Sequence, residues 1–218
     1  MKLIKLIYEQ TIGQLDLKQL SSIKTFKGRS DYIKGKLVGG SLGHRITSGS
    51  GREIFELPNG KILKLAKNPK GIAQNESECD GGLQDMYGDL VTQIVDCDEN
   101  GIWIVVEQAT KISKSRFKAI TGLDFDKFTA WLWDQYLLHD RGESPALAYY
   151  YTDEDAKMME KNEFANKVIS MVIDFAQQPG DYRRINSWGE VNRNGKPMAV
   201  LVDYGLTDEI YNTHYNRR

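Results

Sequence analysis

The sequence predicts an α+β protein with a β-rich first half and a mainly helical second half. Up to about residue 110 the apolar residues form short runs separated by glycines, and beyond it they recur at helical spacing. Hydrophobic residues make up 40% and charged residues 27% of the 218 residues, as in ordinary globular proteins. We therefore expect two lobes, connected near residues 107–112.

The charge balance and the cysteine content argue against several classes of protein. The chain has 29 basic and 30 acidic residues, and this net charge of −1 gives no reason to expect binding to nucleic acid or a membrane. Two cysteines, Cys79 and Cys97, are too few for a disulfide framework or a thiolate zinc site, so we expect buried free thiols. The opening MKLIKLIYEQ lacks a cleavage site of small residues, which predicts a cytoplasmic protein without a signal peptide.

Residues 32–110 are expected to form the β-rich lobe, and residues 1–31 an amphipathic helix or arm before it. The runs YIKGKLV, REIFEL and KILKLA consist largely of β-formers, and Asn59-Gly60 between the last two is a hairpin signal. Residues 70–87 have apolar side chains at helical spacing. The run LVTQIVDCDENGIWIVVEQA that follows has a strand–turn–strand pattern.

Residues 111–218 are expected to form a smaller helical lobe that ends in a hairpin. The segments FDKFTAWLWDQYLL and NEFANKVISMVIDFAQQ have aromatic and aliphatic residues at helical spacing. The acidic stretch YYYTDEDAKMMEKNE between them predicts a surface connection and the start of a helix. WGEV and MAVLVDYG are strand-like runs on either side of the turn NRNGKP, and the tail predicts a short closing helix.

Five short motifs follow one another in a definite order. They are a lysine within a strand (KILKLA), a helix start with glutamates (GIAQNESE), a hinge-like strand (WIVVEQAT), the spacing Asp-x-x-x-x-Asn (DYRRIN) and an Asp-Tyr-Gly turn after a hairpin. Together, over residues 44–210, they resemble the protein-kinase-like superfamily. The chain resembles aminoglycoside-phosphotransferase-like members more than eukaryotic kinases, and it is similar to small kinase-like proteins of tailed phages. The resemblance implies a bilobal protein-kinase-like fold with a β-rich N-lobe and a reduced, mainly helical C-lobe.

The resemblance implies that a strand lysine is held by a glutamate of the next helix. Lys64 lies in the middle of its strand, where alternation points it away from Leu63 and Leu65. Most strand lysines face solvent, and a solvent-facing lysine is the alternative interpretation. Glu76 shares the apolar face of the predicted helix, whereas Glu78 is rotated away from that face. We therefore expect Glu76 to pair with Lys64, and Glu78 is the alternative.

The resemblance also implies a set of residues that bind the nucleotide. TSGSGREIFEL resembles a shortened glycine-rich loop, in which the lack of a Cβ at two glycines lets backbone amides approach phosphate oxygens. GGSLG at residues 39–43 is a competing candidate for this loop. In WIVVEQAT, Val106 would lie beside the adenine, and the backbone groups of Glu107 and Ala109 would form hydrogen bonds with the edge of the adenine. The implied cofactor-binding residues are Gly49, Gly51, Lys64, Val106, Glu107 and Ala109.

The last motifs imply the residues of catalysis and metal binding. Asp181 would orient the acceptor hydroxyl or take its proton, with Lys64 and Glu76 as the other catalytic residues. Asn186 and Asp203 would bind Mg²⁺ on the phosphates of ATP. The expected cofactors are therefore ATP and Mg²⁺.

Two features depart from the pattern of the family. Pro179-Gly180 stands where a histidine usually precedes the catalytic loop, and thirteen residues follow Gly205, from which we expect no peptide-docking platform. The sequence predicts an ATP- and Mg²⁺-dependent phosphotransferase whose acceptor it does not identify. The alternative is a catalytically weak or inactive kinase-like module for protein interaction, phage-encoded or virion-associated. In either case, a phage-encoded protein would be located in the host cytoplasm or the virion.

Overall fold

The computed structural model describes residues 15–38, 45–57 and 60–215. They form an α+β structure with antiparallel sheets. Two compact units are present: unit 1 contains the described residues up to Cys79 together with Gln93–Gln108, and unit 2 contains the remainder. The segment Asp80–Thr92, which falls within the expected first lobe, belongs to unit 2. No helix of the described ranges combines the length and the apolar character needed to cross a membrane.

Unit 1 is built on a five-stranded antiparallel sheet with the strand order β1-β2-β3-β5-β4. Within the described residues, two helices precede the first strand and another helix follows β3. The bounds are α1 Leu17–Ser22, α2 Phe26–Val38, β1 Arg45–Ser48, β2 Arg52–Leu57, β3 Lys61–Ala66, α3 Pro69–Glu78, β4 Ile94–Cys97 and β5 Trp103–Glu107.

Strand β3 is buried on both of its faces, and its alternation determines what each face meets. Leu63 and Leu65 belong to an apolar cluster that includes residues of α1 and α2. Ile62 points to the opposite face, where it packs with Ile104 and Val106. Because side chains alternate along a strand, Lys64 lies on the second face as predicted.

Helix α3 begins where the sequence allows a helix to begin. Asn68 is the N-cap, and its side chain accepts a hydrogen bond from the amide of Gly71. Pro69 occupies the first helical position, where its missing N–H costs nothing. The predicted helix over residues 70–87 ends early, because Asp80 caps a separate helix by accepting from the amide of Gly82.

One predicted strand of unit 1 is wrong. YIKGKLV is the second half of helix α2, which starts at Phe26. The residues of this run that favour strands lie in helix α2. One of them, Ile33, is fully buried in the cluster that also contains Leu20. Burial against the sheet therefore overrides local strand propensity. The hairpin residue Asn59 and the stretch 39–43 lie outside the described residues.

Unit 2 combines six α-helices with a three-stranded antiparallel sheet of order β6-β7-β8, within the described part of the chain. Both predicted amphipathic helices, the final hairpin and the closing helix are confirmed. The bounds are α4 Gly81–Tyr87, β6 Thr110–Lys111, α5 Lys114–Thr121, α6 Phe125–Tyr136, α7 Asp153–Glu160, α8 Glu163–Asp174, β7 Trp188–Arg193, β8 Lys196–Leu201 and α9 Asp208–His214, with 3₁₀ turns at Ala148–Tyr150, Asp181–Arg183 and Ile185–Ser187.

An aromatic cluster joins the helices of unit 2 to its hairpin. The ring of Phe117 on α5 meets Trp188 of β7 edge-on at 5.2 Å between centroids, and it stacks on Phe128 of α6 at 5.8 Å. The hairpin turns at Asn194 and Gly195, whose φ values of 54° and 78° are those that a two-residue turn needs. The core thus fixes the hairpin that leads into Asp203.

Candidate functional site

A buried ion pair joins strand β3 to helix α3 in unit 1. Lys64 Nζ lies 2.5 Å from Glu78 Oε2. Lys64 is 3% exposed and Glu78 is 0% exposed, so the pair is shielded from water. Arg52 of β2 is also buried, and its Nη1 lies 2.7 Å from the other carboxylate oxygen. One glutamate therefore binds two cations from neighbouring strands.

The expected pairing of Lys64 with Glu76 is wrong, and the alternative partner Glu78 is the correct one. Glu76 is exposed to solvent. The face of α3 that packs on the sheet is largely polar. The apolar residues of the helix therefore do not mark its buried face, and a prediction based on them selected Glu76. Its buried residues are Gly71, Gln74, Asn75 and Glu78, at the spacing i, i+3, i+4 and i+7 of a single helical face.

Neighbouring groups keep Glu78 ionised inside the protein. Burial by itself would raise the pKa of this carboxyl, but Arg52 and Lys64 outweigh burial and leave the pKa below its ordinary value. Asn75 completes the cluster, since its amide oxygen accepts from Arg52 at 3.3 Å and its amide nitrogen donates to the Gly101 carbonyl at 2.9 Å. The lysine is therefore held in one position by a charged partner.

The turn between β1 and β2 packs on the start of helix α3. The Gly51 carbonyl accepts from the amide of Lys67 at 3.0 Å. A Cβ on Gly51 would lie 2.5 Å from Gln74 Oε1 and 3.3 Å from the backbone of Gly71. The Gly49 amide donates to the Arg52 carbonyl at 2.9 Å. This close approach explains Gly51 without a phosphate, and the phosphate-binding role of Gly49 and Gly51 stays a prediction.

The predicted adenine contacts fall at the end of β5. Val106 is buried in the small cluster with Ile62 and Ile104. The amide of Glu107 donates to the Gln93 carbonyl at 3.0 Å, so this N–H already has a partner within unit 1. The contacts of Val106, Glu107 and Ala109 with adenine stay predictions.

In unit 2, Asp181 lies on a loop that several hydrogen bonds hold in shape. The Asp181 carbonyl accepts from Ser187 Oγ at 2.8 Å, and the Tyr182 carbonyl accepts from Trp188 Nε1 at 2.8 Å. Tyr182 is buried, and its hydroxyl donates to the Gln177 side chain at 3.0 Å. These contacts fix the loop even though Pro179-Gly180 replaces the expected histidine.

The two aspartates of unit 2 interact electrostatically. Burial raises the pKa of Asp181, and the negative charge of Asp203 raises it further. Arg184, whose Nη1 lies 3.4 Å from Asp181 Oδ1, acts in the opposite direction without cancelling the rise. The structure therefore brings Asp181 close to Asp203, and the pKa of Asp181 lies above its ordinary value.

Asn186 and Asp203 are the donors predicted to bind Mg²⁺. Both side chains are exposed, Asn186 on the loop of Asp181 and Asp203 beyond the hairpin. The described residues contain no group of three or more His, Cys, Asp or Glu placed to hold a metal ion. A carboxylate and an amide oxygen suit Mg²⁺, which commonly completes its coordination with water and substrate phosphate. Both side chains carry oxygen ligands of that kind, and their binding of Mg²⁺ stays a prediction.

Tyr204 anchors the turn that presents Asp203. Its ring is completely buried, and its hydroxyl donates to the Thr92 carbonyl at 3.0 Å and accepts from Gln84 Nε2 at 2.8 Å. Sequence reasoning missed Gln84 and Thr92. The signal was the tyrosine itself, because a buried hydroxyl requires hydrogen-bond partners where a phenylalanine would not.

The Tyr204→Phe variant tests this anchor. We expect its free energy of unfolding to fall by about 1–3 kcal/mol, because buried partners lose their hydrogen bonds. Urea denaturation followed by tryptophan fluorescence measures the loss, since three of the tryptophans belong to unit 2 (Trp131, Trp133 and Trp188). Tyr150→Phe, at an exposed tyrosine, is the matched control. Equal stability of the two variants would contradict the anchoring role.

Comparison with known proteins adds no family to these observations. No protein-family model matches the chain, and a search of curated proteins found no significant match.

Proposed function

We propose that this protein is an ATP- and Mg²⁺-dependent phosphotransferase of the protein-kinase-like fold. The observation that carries the proposal is the buried pair of Lys64 and Glu78. In protein kinases a lysine on the third strand binds nucleotide phosphates and pairs with a glutamate of the following helix. A lysine on β3 and a glutamate on α3 have the same relation here.

Burial makes this ion pair informative. Placing charged groups away from water is costly, and a pair of apolar side chains of similar size often stabilises a fold equally well. A functional role therefore explains a buried lysine held in one orientation better than a contribution to stability does. The ammonium group of this lysine is suited to binding negatively charged phosphate oxygens.

The residues of unit 2 support the same chemistry. ATP bound with Mg²⁺ supplies the transferable phosphoryl group and a metal charge that stabilises the transition state. Asp203 and Asn186 offer oxygen ligands to that metal. Asp181 would orient the acceptor hydroxyl and take its proton, and its raised pKa brings it nearer to neutral pH, where a general base works best.

Ligand-induced stabilisation tests the proposal. At a concentration one hundred times its dissociation constant, Mg-ATP should stabilise the folded protein by about 2.7 kcal/mol. Thermal denaturation with ATP, with and without Mg²⁺, measures this effect as a rise in Tm. The Asp203→Ala variant should lose the Mg²⁺-dependent part of the rise, whereas Asp153→Ala, which changes an exposed aspartate at the start of α7, should keep it.

Two results would change the proposal. No rise in Tm at millimolar Mg-ATP would contradict nucleotide binding. A rise without any phosphoryl transfer to water, to the protein itself or to added acceptors would favour the alternative, a kinase-like module for protein interaction.

A further inference from the structure

The two cysteines of unit 1 lie on the same face of its sheet. Cys79 directly follows the last residue of α3, Cys97 ends β4, and both are free thiols. Cys97 is among the groups that raise the pKa of the Cys79 thiol, so the two thiols are close enough to interact. Cys97 lies opposite Ile104 across strands β4 and β5, and Cys79 packs on the cluster that contains Ile104. Side chains of directly opposed residues share a sheet face, so two separate observations place both thiols on the same face.

The two thiols differ in accessibility. Cys97 is exposed, contrary to the expectation that both thiols are buried, and Cys79 is half-buried. Burial and the nearby Cys97 raise the pKa of the Cys79 thiol, which makes Cys79 less reactive than an ordinary thiol. An oxidant in solution therefore meets Cys97 first, and Cys79 is placed to react with the product.

We propose that Cys79 and Cys97 form a reversible disulfide that fixes the end of helix α3 carrying Glu78. With oxidised glutathione, the Cys97 thiolate attacks one sulfur, forms a mixed disulfide and releases one glutathione thiolate. The Cys79 thiolate then attacks the Cys97 sulfur and releases the second. The protein loses two electrons and two protons, and the glutathione disulfide is reduced to two thiols. This modification does not depend on phosphotransferase activity.

The bond acts on Glu78 because of where Cys79 is attached. The Cys79 amide donates to the Asn75 carbonyl at 2.9 Å and so closes the last turn of α3. Helix ends fray, and a covalent link from this turn to β4 restricts that fraying. Oxidation should therefore hold Glu78 against Lys64 for a larger fraction of the time, and reduction should release the constraint.

Intact mass spectrometry of the full chain, after oxidised glutathione or dithiothreitol, tests the bond. The wild type should lose the mass of two hydrogen atoms and both iodoacetamide-reactive thiols, and dithiothreitol should reverse both changes. Cys79→Ser should instead trap one glutathionyl group on Cys97, and Cys97→Ser should be modified much more slowly. A wild type that ends as a glutathione adduct, or as a disulfide-linked dimer, would overturn the proposal.

Hydrogen–deuterium exchange tests the effect on the helix. In the oxidised wild type, exchange of the amides at the end of α3 should slow several-fold relative to the reduced protein. Cys97→Ser, measured under both conditions, is the control and should show no difference. Unchanged exchange at these amides in a protein whose disulfide has formed would overturn the claim that the bond fixes the Glu78 end of α3.

Discussion

The Glu78→Gln variant should lose about 3–5 kcal/mol of the free energy of unfolding, because breaking a buried ion pair leaves its charges uncompensated. Here one substitution removes the carboxylate that binds both Lys64 and Arg52, and all three side chains are buried. Urea denaturation followed by circular dichroism measures the loss. Hydrogen–deuterium exchange of strands β2 and β3 locates it in unit 1.

Glu76→Gln is the matched control, since it makes the same chemical change two positions earlier on the exposed side of the same helix. Its effect should stay within about 0.5 kcal/mol, as for most surface substitutions. A larger loss for Glu76→Gln than for Glu78→Gln would contradict the observed pairing and restore the one expected from the helix pattern.

The pH dependence of stability gives a second check on Glu78. Because the pKa of the folded carboxyl is lowered, its contribution is fully present above 4.5, its ordinary value, and is lost as the pH falls through the folded pKa. The stability difference between the wild type and Glu78→Gln should therefore shrink on acidification. A difference that is constant with pH would mean that the carboxylate charge is not the cause.

The Asp181→Asn variant should lower kcat of the proposed phosphoryl transfer by about 10²–10⁴-fold, the usual contribution of a general base. Its affinity for Mg-ATP should be little changed, because Asp181 is assigned to the acceptor hydroxyl rather than to the metal. Single-turnover kinetics with γ-labelled ATP, combined with a binding titration, separates the two effects. Asp153→Asn is the control, because it changes an exposed aspartate at the start of α7, and it should retain the wild-type rate.

The pH–rate profile distinguishes a proton acceptor from a group that only positions the substrate. Since burial and Asp203 raise the pKa of Asp181, the rate should fall on acidification with a midpoint above 3.8, the ordinary value for aspartate. This acidic limb should disappear in Asp181→Asn. If the variant transfers phosphate as fast as the wild type, Asp181 is not the base.

Local patterns in the sequence were sufficient for several elements and for the direction of one key side chain. Strands β2 and β3, helices α6 and α8 and the hairpin around Asn194-Gly195 follow from apolar periodicity and turn residues, which act over a few positions. The alternation of β3 placed Lys64 opposite its neighbouring leucines. The motif formed by Asp181, Asn186 and Asp203 could also be recognised in the sequence, because only one loop and one hairpin separate these residues.

Only the tertiary structure decided which glutamate pairs with Lys64 and what holds Tyr204. The buried face of α3 consists of polar residues and a glycine, so its hydrophobic pattern pointed to Glu76. Whether a polar face is buried depends on partners such as Arg52, which is distant in sequence. In the same way YIKGKLV is helical because residues far along the chain bury Ile33. Local propensity differs between such alternatives by about 1 kcal/mol or less, and burial of a side chain or an ion pair outweighs it.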